Sequence, residues 1–242
     1  KKSLSATVKS IGKAEDIEVE FIEEKPFVNG KQVNLTNPNL RSIKENLNYI
    51  RAEADTVALE FRLHNNKLHQ KYLGSGNIAD EIFTCIEKSR VEAKGSNLFK
   101  GIKLNIFNKH NQDLTNISTN KEKGSDIVEA FKYVSYCELT NQTLKGKYSS
   151  YKKIIKNKLG NKYFDYFEKL KKNINNQDKF ALQLHDILEN LGLLDKSSIN
   201  NLENEPLIED ENSQNNDPLN NENQNLNDDR DLDESSEESQ QL

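Results

Sequence analysis

Side chains that can bind metals or move protons are concentrated in one stretch of the sequence. The imidazoles of His64 and His69 are followed by the carboxylates of Glu87 and Glu92, and Arg90 lies between those two acids. Histidine and carboxylate groups are common metal ligands and general bases, and an arginine beside them pairs with a carboxylate. These residue types suit a small metal-dependent hydrolase, so His64, His69, Glu87 and Glu92 are the candidate metal-binding residues.

The spacing of the two histidines does not favour a metal site that uses both. Helical histidine pairs that hold one ion lie four residues apart, whereas His64 and His69 lie five apart, about 140° around a helix. One histidine combined with Glu87 or Glu92 of a neighbouring helix remains geometrically possible. The structural alternative is that both histidines lie on helix flanks and form hydrogen bonds between helices.

Arg90 falls on a face that its helix is expected to bury. Helical periodicity that starts at Ile78 places Ile82, Ile86 and Arg90 on one apolar face. A buried charge is costly unless it is paired, and Glu87 precedes Arg90 by three positions, which allows a direct contact. An arginine in this setting is more often a structural or interface anchor than a catalytic group, although a polar catalytic cluster remains an alternative.

A small β element is predicted near the N-terminus. Residues 17–21 alternate apolar and polar side chains, which is typical of a half-buried strand. Asn29-Gly30 separates two further short apolar segments, and both residues tolerate a positive φ, so a tight two-residue turn is expected. We predict an antiparallel hairpin or meander over about residues 17–35.

The rest of the first 196 residues has mainly helical periodicity. Apolar residues recur every three or four positions, while the polar, asparagine-rich segment 108–123 is predicted to be a connecting loop. The fold class is therefore mainly α, with the small β-hairpin or meander at the N-terminus. Helices are predicted over residues 3–12, 41–72, 78 to about 95, 126–139, 148–170 with an interruption near Gly160, and 175–193.

The distribution of charge divides the chain in two. Residues 203–242 contain 14 acids and one base, whereas residues 1–202 carry a net charge of +8. The acidic segment lacks aromatic residues and is rich in asparagine, so it cannot bury enough apolar surface to offset the entropy of ordering. We predict a helical domain over residues 1–196 and a disordered acidic linker or tail over 197–242.

Cellular context follows from what the sequence lacks. Two cysteines, Cys85 and Cys137, are too few for a disulfide framework. There is no secretory signal and no apolar run of about 18 residues, which a membrane helix requires. We expect a cytoplasmic protein. The sequence also lacks a Gly-rich phosphate loop, a C-x-x-C motif and a nucleophile elbow, so no active site is evident.

A lysine-rich, aromatic segment over residues 148–173 suggests a second alternative. Clustered lysines with interleaved aromatic residues can bind nucleic acid. The same pattern is also expected for a solvated amphipathic helix that buries its aromatic face, and for a partner to an acidic segment such as 203–242. Nucleic-acid binding is the less favoured interpretation.

Several motifs resemble the N-terminal region of the CobT subunit of the aerobic cobaltochelatase. That family shows an A-D-x-x-A-L run, an H-N or H-D pair followed by a second histidine, and an E-x-x-R-V-E-A-x-G block. The resemblance covers most of residues 4–195, and the D-x-S-x-S signature of the family's C-terminal von Willebrand A domain does not occur in this sequence. The corresponding residues are Ala54-Asp55 with Ala58-Leu59, His64-Asn65 with His69, and Glu87 with Arg90-Val91-Glu92-Ala93 and Gly95.

The resemblance implies a role in cobalamin biosynthesis. The family works with an AAA+ ATPase subunit (CobS-like) and a large corrin-binding subunit (CobN-like) in a hetero-oligomer. That complex uses ATP, Mg²⁺ and Co²⁺ to insert cobalt into hydrogenobyrinic acid a,c-diamide. The resemblance implies that this region is an assembly and coupling module without a cofactor of its own.

We therefore expect a non-catalytic subunit of a metal chelatase, with no catalytic, cofactor-binding or metal-binding residue of its own. The metal-dependent hydrolase and the nucleic-acid-binding module remain as alternatives. The residues interpreted as structural or interface residues are Arg51, Asp55, Glu87, Arg90, Glu92 and Gly95.

Overall fold

The computed structural model describes residues 1–74, 77–116 and 123–194. The predicted domain boundary near residue 196 and the predicted disordered segment 197–242 lie outside these residues. The mainly α fold with a small N-terminal β element is confirmed. The elements are α1 (Lys2–Gly12), β1 (Glu18–Ile22), β2 (Phe27–Asn29), β3 (Gln32–Thr36), α2 (Leu40–Leu63), α3 (Asn66–Lys71), α4 (Ile78–Leu98), α5 (Lys100–Asn116), α6 (Lys123–Thr140), α7 (Tyr148–Leu159), a 3₁₀ turn (Gly160–Lys162), α8 (Tyr163–Lys172) and α9 (Gln177–Asn190).

The three strands form a mixed sheet in the order β1-β3-β2. The predicted hairpin is present between β2 and β3, with Asn29 opposite Gln32, so its loop is Gly30-Lys31 rather than Asn29-Gly30. Gly30 has φ +58°, which a residue without Cβ adopts at little cost. The prediction of a purely antiparallel element is wrong for β1, which pairs in parallel with β3. Strand β2 lies at one edge of the sheet and runs antiparallel to β3. Strand β3 lies in the centre and runs in the same direction as β1 at the other edge.

The predicted helix over 41–72 is interrupted twice in the structure, by a kink at Asn46 (φ −137°, ψ 31°) inside α2 and by a break after Leu63. The first helix, α2, ends at Leu63, and Asn65 caps α3 by accepting a hydrogen bond from the backbone N–H of Leu68 at 3.0 Å. Asparagine is among the preferred N-cap residues because its side chain satisfies an orphan donor of the first turn. His64 therefore lies between two helices, and the helical angle expected between His64 and His69 does not apply.

The prediction of a loop over 108–123 is wrong for its first part. Helix α5 continues to Asn116 and packs against α2 and α4. Its buried face consists of Ile102, Ile106, His110 and Leu114, which recur every four positions. The pattern was hidden because a histidine occupies one of the apolar positions. Helix α6 begins at Lys123, ahead of the predicted start at 126.

Helix α4 is the centre of the main core. It packs against α2, α5, α6 and α9, and its residues Ile82, Phe83 and Ile86 are almost fully buried. A second, smaller core lies between α1, α2 and the sheet, and contains Val33 and Leu35 of β3. Among the described residues, no helix is both long enough and apolar enough to span a membrane.

The C-terminal helices follow the predicted pattern. Gly160 adopts φ +54° and interrupts the aromatic helical region between α7 and α8, as expected. Asn176 caps α9 by accepting a hydrogen bond from the backbone N–H of Lys179 at 2.9 Å. The tyrosines of this region, including Tyr163 and Tyr166, are buried, while Phe164 remains exposed.

Replacement of Gly95 by alanine is expected to destabilise the protein by about 1–3 kcal/mol, because overpacking of a filled core has that cost. An added Cβ would overlap Cδ1 of Leu59 and lie 2.8 Å from its Cγ, and the side chain of Leu59 is fully buried. Gly101→Ala is the matched control, since nothing lies within 4 Å of its added Cβ. Urea unfolding of both variants measures the difference. Equal stability of Gly95→Ala and the parent protein would contradict this packing.

Candidate functional site

Arg90 is the largest fully buried side chain in the described structure, with 1% exposure. Its guanidinium binds Glu87 through two parallel hydrogen bonds, from Nε to Oε2 and from Nη2 to Oε1, both at 2.8 Å. A bidentate pair of this kind is the strongest form of charge-assisted hydrogen bond. The pairing predicted from the three-residue spacing is therefore present, and Glu87 is itself 2% exposed.

The remaining donors of Arg90 reach parts of the chain that are distant in sequence. Nη2 donates to the carbonyl oxygen of Leu63 at 2.9 Å and to Oε1 of Gln177 at 3.3 Å, and Nη1 donates to the carbonyl oxygen of Ile174 at 3.1 Å. Leu63 is the last residue of α2, where carbonyl groups lack intrahelical partners and carry partial negative charge. Arg90 thus joins α4 to the end of α2 and to the segment before α9.

His64 and Gln177 complete this group, which we call the Arg90 cluster (His64, Glu87, Arg90 and Gln177). Nδ1 of His64 lies 2.9 Å from Oε1 of Glu87, and because an ionised carboxylate only accepts, Nδ1 carries the proton. Gln177 donates to the carbonyl oxygen of Asn65 at 2.9 Å and accepts from its N–H at 2.8 Å. The break between α2 and α3 is therefore held against α4 and α9.

Glu87 shows the balance of forces in the cluster. Burial raises the pKa of its carboxyl group, but the hydrogen bonds from Arg90 and His64 outweigh burial, so the net pKa lies below its ordinary value of 4.5. The carboxylate is ionised at neutral pH. It compensates the charge of Arg90, and both side chains are almost fully buried.

The two predicted candidate histidines lie closer together than their spacing suggested. The rings of His64 and His69 have centroids 4.9 Å apart in an edge-to-face arrangement, because the chain turns between them. Nε2 of His69 lies 3.2 Å from Oγ1 of Thr84, and burial lowers the pKa of His69 to about 4. Both histidines line a cavity of about 280 Å³ beside Glu87. His69 is consequently neutral at physiological pH.

Glu92 does not belong to the Arg90 cluster. Its carboxylate lies 2.7 Å from Nε2 of His110, a fully buried residue of α5. The ring of His110 packs against Tyr136 at 4.4 Å and Tyr133 at 5.5 Å between ring centroids. The polar cluster proposed from Glu87, Arg90 and Glu92 is therefore divided into two pairs that contact different helices.

Two buried histidines are not among the residues that the sequence singles out. His110 falls within the predicted loop 108–123 and His185 within the predicted helix 175–193, yet both are buried. Nε2 of His185 lies 3.1 Å from the carbonyl oxygen of Tyr72 and so links α9 to the end of α3. In each case the signal was the regular helical spacing with apolar neighbours, which places a histidine in the core.

Of the other predicted structural residues, Asp55 and Gly95 lie at helix contacts, while Arg51 is exposed. Asp55 of α2 is buried and accepts a hydrogen bond from Nδ2 of Asn105 of α5 at 2.8 Å. Burial raises the pKa of Asp55, although Asn105 and the exposed Arg51 one turn earlier both lower it. Gly95 allows α4 to approach Leu59 of α2 closely.

The candidate metal ligands are not assembled in one place. His64, His69 and Glu87 lie near each other, but Glu92 faces His110 and a different cleft. Within residues 1–74, 77–116 and 123–194, no group of three or more histidine, cysteine, aspartate or glutamate side chains has the arrangement of a metal site.

The fold and the buried polar contacts define a mainly α protein in which one central helix is held by a buried arginine–carboxylate pair. A family model described as "Cobalamin biosynthesis protein CobT" matches residues 1–242, the whole chain. The chain belongs to the CobT family, which makes it a cobaltochelatase subunit of cobalamin biosynthesis. No solved structure matches it.

Replacement of Arg90 by leucine is expected to cost about 3–5 kcal/mol of folding free energy, because it leaves Glu87 as a buried, uncompensated charge. It also removes the donors to the carbonyl groups of Leu63 and Ile174. Arg90→Lys is the control that keeps the charge but loses the bidentate geometry, so an intermediate loss is expected. Chemical denaturation measures both. A Leu variant as stable as the parent would show that the cluster does not hold the fold.

The free energy of unfolding is expected to fall as the pH is lowered from about 6.5 towards 4. His69 is kept neutral in the folded state, with a pKa of about 4 against an ordinary 6.5, so the unfolded chain binds more protons in this range. His69→Asn should reduce the slope of the unfolding free energy against pH by up to about 1.4 kcal/mol per pH unit in this range. Denaturant unfolding at a series of pH values tests this, and an unchanged slope would contradict it.

Proposed function

We propose that this chain is a non-catalytic assembly and coupling module of an ATP-dependent cobaltochelatase. The complex would insert Co²⁺, its substrate, into hydrogenobyrinic acid a,c-diamide. The chain would bind an AAA+ ATPase subunit (CobS-like) and a large corrin-binding subunit (CobN-like) in a hetero-oligomer. ATP and Mg²⁺ would be bound by the complex through other subunits, since this sequence contains no phosphate loop.

The internal use of the Arg90 cluster is the observation that carries this proposal. Arg90 binds Glu87, two backbone carbonyl groups and Gln177, all within the chain. A guanidinium whose donors bind groups of its own chain orients helices and is not available to bind a substrate. The match of the CobT family model over the whole chain supports the assignment to a chelatase complex.

A rigid helical core suits a coupling role. A subunit that transmits the motion of an ATPase to a second enzyme must move as one body, because a flexible connector would absorb the displacement. The Arg90 cluster joins α2, α4 and α9, and the Glu92–His110 pair joins α4 and α5. These contacts fix the relative positions of the helices that would present a partner surface.

Association with the AAA+ subunit is the direct test of this proposal. The full chain, mixed with that subunit and ATP, is expected to elute as a larger complex in size-exclusion chromatography and to restore Co²⁺ insertion when the corrin-binding subunit is added. An AAA+ ATPase from an unrelated system is the control. Failure to associate with either chelatase subunit, with ATP or ADP, would remove the assembly role.

The same preparation separates the alternatives. Metal analysis is expected to give much less than one metal ion per chain. A stoichiometric metal that is lost in His64→Ala would favour the hydrolase instead. Binding to RNA or DNA with a steep salt dependence would favour the nucleic-acid-binding module. An Arg90 variant that folds and associates normally, but abolishes metal insertion, would assign Arg90 a catalytic role.

A further inference from the structure

A second cleft, larger than the cavity beside His64, adjoins that cavity and shares Thr56, Glu60 and Lys88 with it. Its volume is about 700 Å³, and its walls come from α2, α4, α5 and α6. Arg90 does not line it. Sites for small molecules in proteins have volumes of about 300–1,000 Å³, so the cleft is large enough for one. We call it the Lys132 cleft, after the residue that α6 contributes to its wall.

Several of the charged groups in the cleft are already satisfied. Nζ of Lys109 lies 3.0 Å from Oδ2 of Asp113, and the hydroxyl of Tyr49 donates to the same carboxylate at 2.8 Å. The carboxylate of Glu92 is occupied by His110 at 2.7 Å. Because these groups already bind each other or His110, they are less available to bind a ligand.

One further acid in the wall has a partner. The carboxylate of Glu129 accepts a hydrogen bond from the hydroxyl of Tyr151 at 2.9 Å. Lys25 and Lys88 are exposed at the rim, where water solvates their ammonium groups. The groups that remain to recognise a ligand inside the cleft are therefore Lys132 on one wall and two glutamates on the other.

Lys132 is a cation of the cleft that forms no direct ion pair among the described residues. Its ammonium group packs over the ring of Tyr133 at 4.7 Å, and it forms neither a salt bridge nor a hydrogen bond with any residue that the structure describes. The backbone of Lys132 is fixed, because Ser89 of α4 donates to its carbonyl oxygen at 3.1 Å. Burial lowers the pKa of the lysine and Lys109 lowers it further, while the more distant carboxylates of Glu92 and Asp113 partly offset this by raising it. An anion beside Lys132 would replace the hydration that its ammonium group loses on burial.

The opposite wall has the complementary charge. Glu53 and Glu60 of α2 lie two helical turns apart, and both line the cleft. Neither forms a salt bridge with the described residues. Burial raises the pKa of Glu53, while the nearby Lys109 and the side chain of Thr36 lower it. The carboxylate has further lone pairs that can accept from a ligand.

We propose that the Lys132 cleft binds a small molecule that carries a carboxylate and, several bonds away, an ammonium or amide group. The carboxylate binds Lys132 beside the ring of Tyr133, and the donor group binds the wall formed by Glu53 and Glu60. The recognition follows from groups of opposite charge that line one cleft and form no direct salt bridge with the described residues. It does not depend on the assembly role of the chain.

The probe for this site is 5-aminovalerate, a flexible molecule with a carboxylate at one end and an ammonium group at the other. Titrated into the full chain and followed by NMR, it is expected to shift the amide signals of Ser89, Lys132 and Tyr133. Glutarate lacks the cation and cadaverine lacks the anion, so each is expected to bind at least tenfold more weakly, the loss of one charge-assisted contact. Equal binding of all three, or shifts confined to other surfaces, would overturn the proposal.

Lys132→Met is the variant that tests the anion contact, because methionine keeps the length and apolar stem of the side chain. It is expected to weaken 5-aminovalerate binding at least tenfold and to leave the melting temperature equal or higher, since an unpaired cation is removed. Lys158→Met, an exposed lysine of α7, is the matched control and should bind as the parent does. If Lys132→Met does not fold, Lys132→Arg and Glu53→Gln replace it, with binding expected to be kept in the first and reduced in the second. Unchanged binding in Lys132→Met or Glu53→Gln would overturn the proposal.

Discussion

The burial of one guanidinium group determines how the helices of this protein are arranged. A charge removed from water costs several kcal/mol unless its donors are satisfied, and Arg90 has 1% exposure. Glu87 on the same helix compensates the charge, but the donors to the carbonyl groups of Leu63 and Ile174 are satisfied only when α2, α4 and the segment before α9 are in place together. Any arrangement that moves α9 or the end of α2 leaves guanidinium donors of Arg90 buried without an acceptor, although the pair with Glu87 remains. The apolar contacts of the core are less selective, because they tolerate small shifts.

Helix α4 carries a second polar pair on another side, and the two pairs together fix its rotation. Glu87 and Arg90 face the end of α2 and the start of α9, whereas Glu92 faces His110 of α5. A rotation by one residue, about 100°, would satisfy neither pair. The buried polar groups therefore specify one packing of a helix whose apolar face is broad. This is the role that polar residues have when they set register in helical bundles.

Local features of this structure were predictable from the sequence, and long-range ones were not. The Glu87–Arg90 pair follows from a spacing of three residues on one helix, and the Gly30 turn and the Gly160 break follow from backbone preferences. The partners at Leu63 and Ile174 are backbone carbonyl groups, which every residue has, so side-chain identity carries no signal for them. The parallel pairing of β1 likewise depends on which edge of β3 is free, a property of the folded sheet.

The Lys132 cleft and the Arg90 cluster use different residues of the same helix, α4. Ser89, Glu92 and Cys85 of α4 line the Lys132 cleft, while Glu87 and Arg90 of the same helix belong to the cluster that holds the fold. The cluster fixes the rotation of α4 and therefore the shape of the cleft, but no atom of the cluster lies in it. Changes at Arg90 must then affect the cleft indirectly, through the position of α4. Lys132 reaches the cleft from α6 and pairs with none of the cluster residues, so its charge can be removed without leaving Arg90 or Glu87 unpaired.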